Sequence, residues 1–239
     1  MAVLFTVLLG LACLIVGYLL GSIPTAVLIA KHYGVDIRSV GSHNAGGTNV
    51  GRVIGKKAGI LTMVLDGLKA ILPCLAVLLL VTFCPMELIA YPHLPELYVC
   101  LTGLAVALGH TFPLFAGFKG GKAVACFAGF ILFVSPLLFV FGCLVFFSVL
   151  KIGKKVSLAS VIGVPMTFLG SCVPMVLDLT VCSDILSYDG GLYNGPAFGL
   201  HLSYLTAVTV FLLALLIVAR HLSNIRRLAK GTEPETKFK

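Results

Sequence analysis

The sequence predicts an all-α polytopic membrane protein with about seven transmembrane helices, two of them short and paired in a hairpin, the N-terminus outside and the C-terminus cytoplasmic. Composition points there first: of 239 residues 59% are hydrophobic and only 11% charged, against about 25% charged in an ordinary soluble domain. Mean hydropathy is +1.10. Several apolar runs also reach the roughly 17–25 residues that cross a hydrocarbon core about 30 Å thick, where the backbone can satisfy itself only as helix or closed barrel.

The basic residues order these runs, because lysine and arginine collect on the cytoplasmic side. Lys31, Arg38, Arg52, Lys56 and Lys57 form one cluster; Lys119 and Lys122 a second; Lys151, Lys154 and Lys155 a third. Arg220, Arg226, Arg227, Lys230, Lys237 and Lys239 form the last, leaving only Lys69 apart. The polar segments 84–97 and 178–200 hold Glu87, Glu96, Asp178, Asp184 and Asp189 but no lysine or arginine, so they are expected outside. A net charge of +8 would suggest nucleic acid in a soluble protein; here the topology accounts for it, and no nucleic-acid partner is expected.

Taken in order, residues 2–30 have no basic stretch ahead of them and are expected to be a retained first span rather than a cleaved leader. Further spans follow at 58–83, 98–116, 157–178 and 201–220, joined by cytoplasmic loops 31–57, 117–122 and 151–156 and ended by a tail, 221–239. The whole of 1–239 is expected to be one domain. Stretch 123–150 has lysines at both ends and so needs an even number of crossings. Two segments of about 13 residues reach only about 20 Å at 1.5 Å per residue. A short hairpin, 123–135 and 137–150, turning at Ser135 and Pro136, is therefore expected.

Eight cysteines show no C-x-x-C pair, and Cys13, Cys74, Cys126, Cys143 and Cys172 sit in apolar runs as small packing groups. Cys84, Cys100 and Cys182 fall near outer ends, where a disulfide stays open. No metal-ligand spacing is present, and neither metal nor cofactor is expected.

The polar motifs lie almost entirely in the cytoplasmic segments. Gly41-Ser42-His43-Asn44-Ala45-Gly46-Gly47-Thr48-Asn49-Val50-Gly51-Arg52 suits an anion: glycines turn backbone N–H groups inward, Ser42, Asn44, Thr48 and Asn49 add donors, and Arg52 adds a bidentate charge. A solvated basic loop would carry the same residues. Gly109-His110 through Lys119-Gly120-Gly121-Lys122 runs straight into a helix start, where free N–H groups and positive dipole character favour phosphate. It is not a Walker loop, and a basic surface anchor is the plainer alternative. Ser157 and Ser160 share a helical face, a spacing equally suited to packing. His221 and Asn224 lie one turn apart beside arginines, where His221 can hold or exchange a proton or simply anchor the surface. Asp66 and Lys69 stand at i and i+3 inside a span and are expected to neutralise each other or face the interior.

Together these motifs resemble the PlsY-type acyl-phosphate:glycerol-3-phosphate acyltransferase family over nearly the whole chain. The resemblance is carried by Gly21-Ser22-Ile23-Pro24, the Gly41–Arg52 loop, Gly109-His110 with Phe118–Lys122, Ser157–Ser160, and His221-x-x-Asn224 through Gly231-Thr232-Glu233-Pro234. It departs from the family pattern at His43 and Ala123, where the family usually has glycine, and at Ala45 and Gly47, where it usually has isoleucine and alanine.

The resemblance implies transfer of a fatty acyl group from acyl phosphate to the sn-1 hydroxyl of glycerol 3-phosphate, giving lysophosphatidic acid and phosphate at a bacterial inner membrane. The implied partners are the two substrates, membrane lipid and the enzyme that makes acyl phosphate. Arg52, Lys119, His221 and Asn224 are the expected catalytic residues. Ser42, Asn44, Gly46, Thr48 and Asn49 are expected at one phosphate; Gly120, Gly121, Lys122, Ser157 and Ser160 complete the binding set.

A transporter of an organic phosphate is the main alternative, but its polar residues belong near the bilayer midplane in broken helices. A metal-dependent phosphotransferase needs an aspartate cluster that is absent. No histidine is followed by aspartate five residues on, the spacing of the acyl-CoA-dependent enzymes.

Overall fold

The computed structural model describes residues 2–83, 94–180 and 204–236. The described residues are helical apart from turns and short connections. In chain order the helices are α1 Ala2–Gly21, α2 Thr25–His32, α3 Gly47–Val53, α4 Lys56–Thr82, α5 Leu94–Thr111, α6 Val124–Val134, α7 Pro136–Gly153, α8 Val156–Thr180, α9 Tyr204–Arg220 and α10 Leu222–Ala229.

Among the described residues five helical stretches are long and apolar enough to cross a membrane: Val3–His32, Lys56–Thr82, Pro95–Ala116, Pro136–Gly153 and Val156–Val173. The α9 and α10 pair makes a sixth when its 58° bend is taken as a break within one span. α6 is apolar but only 11 residues long, about half of what a 30 Å core requires at 1.5 Å per residue. Leu72, Leu79, Leu80, Leu144, Phe147, Leu169 and Leu215 stand exposed on the bundle, as faces that meet lipid must.

Local chemistry changes several boundaries read from hydropathy. The first apolar run is not one helix: α1 stops at Gly21 and α2 starts at Thr25, because Pro24 has no N–H to continue the ladder. The 31–57 connection, expected as loop, contains α3. Ser135 accepts from Leu138 N as an N-cap and Pro136 opens α7, an arrangement that starts a helix well. α7 then runs 18 residues, long enough to cross rather than half-cross. The tail begins as α10.

α1 packs along α5, and α4 sits between α5 and α6. The α1–α5 crossing is very close at Gly109, whose added Cβ would stand 2.2 Å from Tyr18 O. This sets the α1–α2 break beside His110 at the end of α5. The core runs through Ala70, Cys74, Val106, Phe130, Leu213 and Ile217. Cys13, Cys74, Cys100 and Cys126 are buried as free thiols, while Cys143 and Cys172 are half-buried. Cys84, Cys182, Glu87, Asp184, Asp189 and most of the expected outer loops lie outside the described residues. Glu96 is described, and it accepts from Thr206 Oγ1 at 2.7 Å.

Candidate functional site

The segments that carry the polar motifs meet at one end of the bundle. Arg38 Nη1 donates to Ala116 O at 3.3 Å, joining the first polar loop to the second. Lys122 Nζ donates to Asn224 Oδ1, joining the second to α10. Thr236 N donates to Lys154 O at 2.8 Å and Val156 N donates to Thr236 Oγ1 at 3.1 Å, so the tail closes over the α7–α8 connection.

In the first loop Asn49 is 1% exposed and fully occupied. Its Nδ2 donates to Ile37 O and Val40 O, each at 3.0 Å, and its Oδ1 accepts from Ser42 N at 2.8 Å. This corrects the expectation that Asn49 offers its amide to an anion: it shapes the loop. α3 docks on α4 through glycine, since a Cβ on Gly59 would lie 2.6 Å from Gly51 Cα. Thr48 and Arg52 are one turn apart on α3 and half-buried. Ser42 is exposed, Asn44 half-buried, and Gly46 is the buried residue preceding α3.

In the second loop the glycine amides are also spent. Gly120 N donates to Thr111 O at 3.3 Å and Gly121 N to His110 O at 3.1 Å. These N–H groups are therefore not the free anion donors expected of a helix start, which lies further on at α6. A Cβ would meet His110 O at 2.0 Å from Gly120 and His110 Nε2 at 2.2 Å from Gly121. The pair is glycine because the turn presses against His110. Gly121→Ala is expected to push Lys119 and Lys122 out of place and lower kcat/KM by about 10²-fold, the cost of a misplacement near 1 Å; steady-state kinetics on protein of unchanged melting temperature check this.

At the third motif the chain bends between α9 and α10 at His221, which is 3% exposed. Its Nδ1 lies 2.8 Å from Ile217 O, and a carbonyl only accepts, so Nδ1 carries the proton and Nε2 presents a lone pair. Asn224 Nδ2 donates to Glu233 Oε1 at 2.6 Å, and Arg227 Nε donates to Glu233 Oε2 at 2.7 Å.

Burial lowers the Lys122 ammonium to about 8; Glu233 opposes the shift, and Arg227, Arg220 and Arg52 add to it. Arg52 thus lies within electrostatic reach of Lys122, with no hydrogen bond or ion pair to other described side chains. Burial, then the Lys122 charge, hold His221 down to about 4, so the imidazole is neutral at pH 7. Burial pushes Glu233 up, but Ser157, Asn224 and Arg227 outweigh it and keep the carboxyl below its usual value. Thr111 Oγ1 and Arg220 Nε are buried here without a hydrogen-bond partner among the described residues. Such atoms are rare in folded interiors. Several cations, a neutral imidazole and unpartnered donors in one place have the chemistry that suits a phosphorylated ligand.

Residues 11–231 match the family model described as glycerol-3-phosphate acyltransferase. The chain belongs to the glycerol-3-phosphate acyltransferase family. The glycerol-3-phosphate acyltransferase of Macrococcus caseolyticus is 35% identical over 229 residues, covering 95% of this chain and 96% of that protein. That of Listeria monocytogenes is 39% identical over 225 residues, covering 94% and 95%. Crystal structures of PlsY, an integral membrane glycerol 3-phosphate acyltransferase, are similar at 33% identity. Its glycerol 3-phosphate form has a TM-score of 0.74 and covers 95% of this chain and 96% of that one; its lysophosphatidic acid form has a TM-score of 0.71, covering 95% and 94%.

Within this acyltransferase the two departures from the family's glycine pattern fall at positive φ: His43 at 56° and Ala123 at 59°. Glycine adopts that region freely and other residues pay for it in backbone strain. Of the remaining expected residues, Lys119 is exposed. Ser160 Oγ donates to Val156 O at 2.9 Å within its own helix. Glu233, part of the Gly231–Pro234 motif but outside the expected site residues, joins them through Asn224 and Arg227. Its signal was a carboxylate set close behind Arg226, Arg227 and Lys230.

Proposed function

We propose that this acyltransferase takes its acyl group from acyl phosphate and transfers it to the sn-1 hydroxyl of glycerol 3-phosphate, forming lysophosphatidic acid and inorganic phosphate as the first acylation of phospholipid synthesis. The observation that carries this is the gathering of Arg52, Lys122, Arg220 and Arg227 around neutral His221 and Asn224. Arg52 and Lys122 hold the glycerol 3-phosphate phosphate, with Ser42, Asn44 and Thr48 as flanking donors. Lys119 faces the phosphate of the donor.

Acyl phosphate is a mixed anhydride, so the protein has to align the reactants and stabilise the oxyanion that develops. The glycerol oxygen attacks the acyl carbonyl carbon, the carbonyl carbon–phosphate oxygen bond breaks, and phosphate leaves. His221 Nε2 accepts a hydrogen bond from the hydroxyl and orients it. An imidazole held near 4 retains a proton poorly, so the hydroxyl proton ends on the departing phosphate. NMR of labelled histidine is expected to show His221 titrating well below the usual 6.5 or so; titration near 6.5 would make it a competent general base instead.

The same reading makes the chain one domain of seven membrane segments with α6 buried among the others, N-terminus outside and site on the cytoplasmic face of a bacterial inner membrane, supported by the distribution of lysine and arginine. The enzyme that makes acyl phosphate is then a partner on that side.

The test is formation of lysophosphatidic acid from labelled glycerol 3-phosphate by protein in lipid, with palmitoyl phosphate and palmitoyl-CoA offered separately. Product from palmitoyl phosphate alone, with phosphate released in equal amount, is the expected result. Equal use of palmitoyl-CoA would overturn the donor assignment.

A further inference from the structure

Beneath the site, charged side chains that a bilayer protein holds only at a cost connect four helices. Asp66 and Lys69, one turn apart on α4, pair at 2.9 Å. Mutual neutralisation would need nothing more, yet both reach across to other helices. Lys69 Nζ donates to Ile23 O at 2.6 Å and Gly21 O at 3.4 Å, the carbonyls of the α1–α2 break. Asp66 Oδ1 and, at 3.5 Å, His110 Nδ1 complete the polar atoms around the ammonium. Asp66 Oδ1 also accepts from Thr25 Oγ1 at the start of α2 and lies 3.5 Å from His110 Nδ1. On its other side His110 presses Nε2 against Gly121, and its carbonyl accepts from Gly121 N. Ala45 O abuts Gly121 as well, 2.9 Å from where a Cβ would stand. The α1–α2 break, the corner before α3 and the Gly120–Gly121 turn therefore converge on one buried cluster.

We propose that Asp66, Lys69 and His110 are positioning residues for acyl transfer. They hold these three segments in a single arrangement and so fix where Lys119 and Lys122, which flank the glycine turn, present their charges. None of the three touches a reacting atom. The inference rests on the roles given above to Lys119 and Lys122.

The discriminating variant is Asp66→Asn with Lys69→Met. Removing both charges lightens the burial cost of the pair, so a purely structural ion pair predicts a stable and fully active enzyme. The positioning role predicts a melting temperature within a few degrees of the wild type, but kcat/KM lower by about 30-fold, as a small displacement of binding groups produces. It also predicts amide exchange roughly tenfold faster in peptides spanning 19–27 and 114–124, since a local clamp sets local opening. Unchanged kinetics and exchange in this variant overturn the proposal. If the double variant does not accumulate, Thr25→Val removes one hydroxyl from the cluster and keeps its shape; faster exchange across 114–124 with lower kcat/KM supports the role, and no change in either overturns it. Exchange reads the clamp whatever the reaction, whereas a wild-type enzyme silent with acyl phosphate sinks the functional reading alone.

Discussion

Replacing Arg52 with alanine is expected to lower kcat/KM by about 10²–10³-fold while the protein still inserts and melts as before, the size of effect that follows loss of one preorganised donor to developing or bound charge. The guanidinium is held for use. It sits on α3, which glycine packing fixes to α4, and it has no hydrogen bond or ion pair among the described residues, so little of the fold depends on its charge. Arg52→Lys restores a charge without the planar fork that meets two phosphate oxygens at once. It is expected to recover only part of the loss, chiefly in KM for glycerol 3-phosphate. Steady-state kinetics against each substrate in turn separate these outcomes, and full activity in Arg52→Ala would remove the residue from the site.

Lys122→Ala is expected to have a comparable effect and to carry a pH signature. The Lys122 ammonium is drawn down to about 8 by burial, with nearby arginines adding to the shift. It is charged below that value and loses its proton as pH rises through it. Wild-type kcat/KM should therefore be level from near neutrality up to about pH 8 and fall above it. Toward acid the limb belongs to the substrate, whose second phosphate pKa is about 6. Lys122→Arg keeps its charge at every working pH, so its remaining activity should lack the alkaline fall. An alkaline limb that persists unchanged in Lys122→Arg would assign it to another group. Lys122→Ala also strips Asn224 Oδ1 of its donor, so the loss includes disorder at α10 as well as missing charge.

Hydropathy and basic-residue placement reveal the membrane class because lipid imposes one rule, an internally satisfied backbone, on every span. They cannot see the break at Ser22–Pro24 as a functional feature. Proline marks the interruption, but the ligand of the freed carbonyls is Lys69, 46 residues away for Ile23 O. Lys69 was visible as the one cation outside every cluster; its partners are a matter of tertiary approach.

The same division holds within the site. Glycine-rich, basic and amide-bearing segments mark where anion chemistry gathers, and the side chains of Lys122 and Asn224 do meet. Which N–H groups remain free is decided by packing. Gly120, Gly121 and Asn49 carry suitable donors, yet those donors are consumed by Thr111 O, His110 O, Ile37 O and Val40 O. Their value lies in shape. His43 and Ala123 show the converse: each breaks a family glycine pattern in sequence, and the left-handed backbone at both explains what the glycine is for. The low proton affinity of His221 was out of reach of motif reading, since it comes from burial between α9 and α10 and from the charge of Lys122.

The most direct measurement is a crystal structure of this protein with glycerol 3-phosphate bound. The account predicts the phosphate within hydrogen-bond distance of Arg52 and Lys122, and the sn-1 hydroxyl against His221 Nε2. A phosphate seated away from both cations, or a hydroxyl turned from His221, would contradict it.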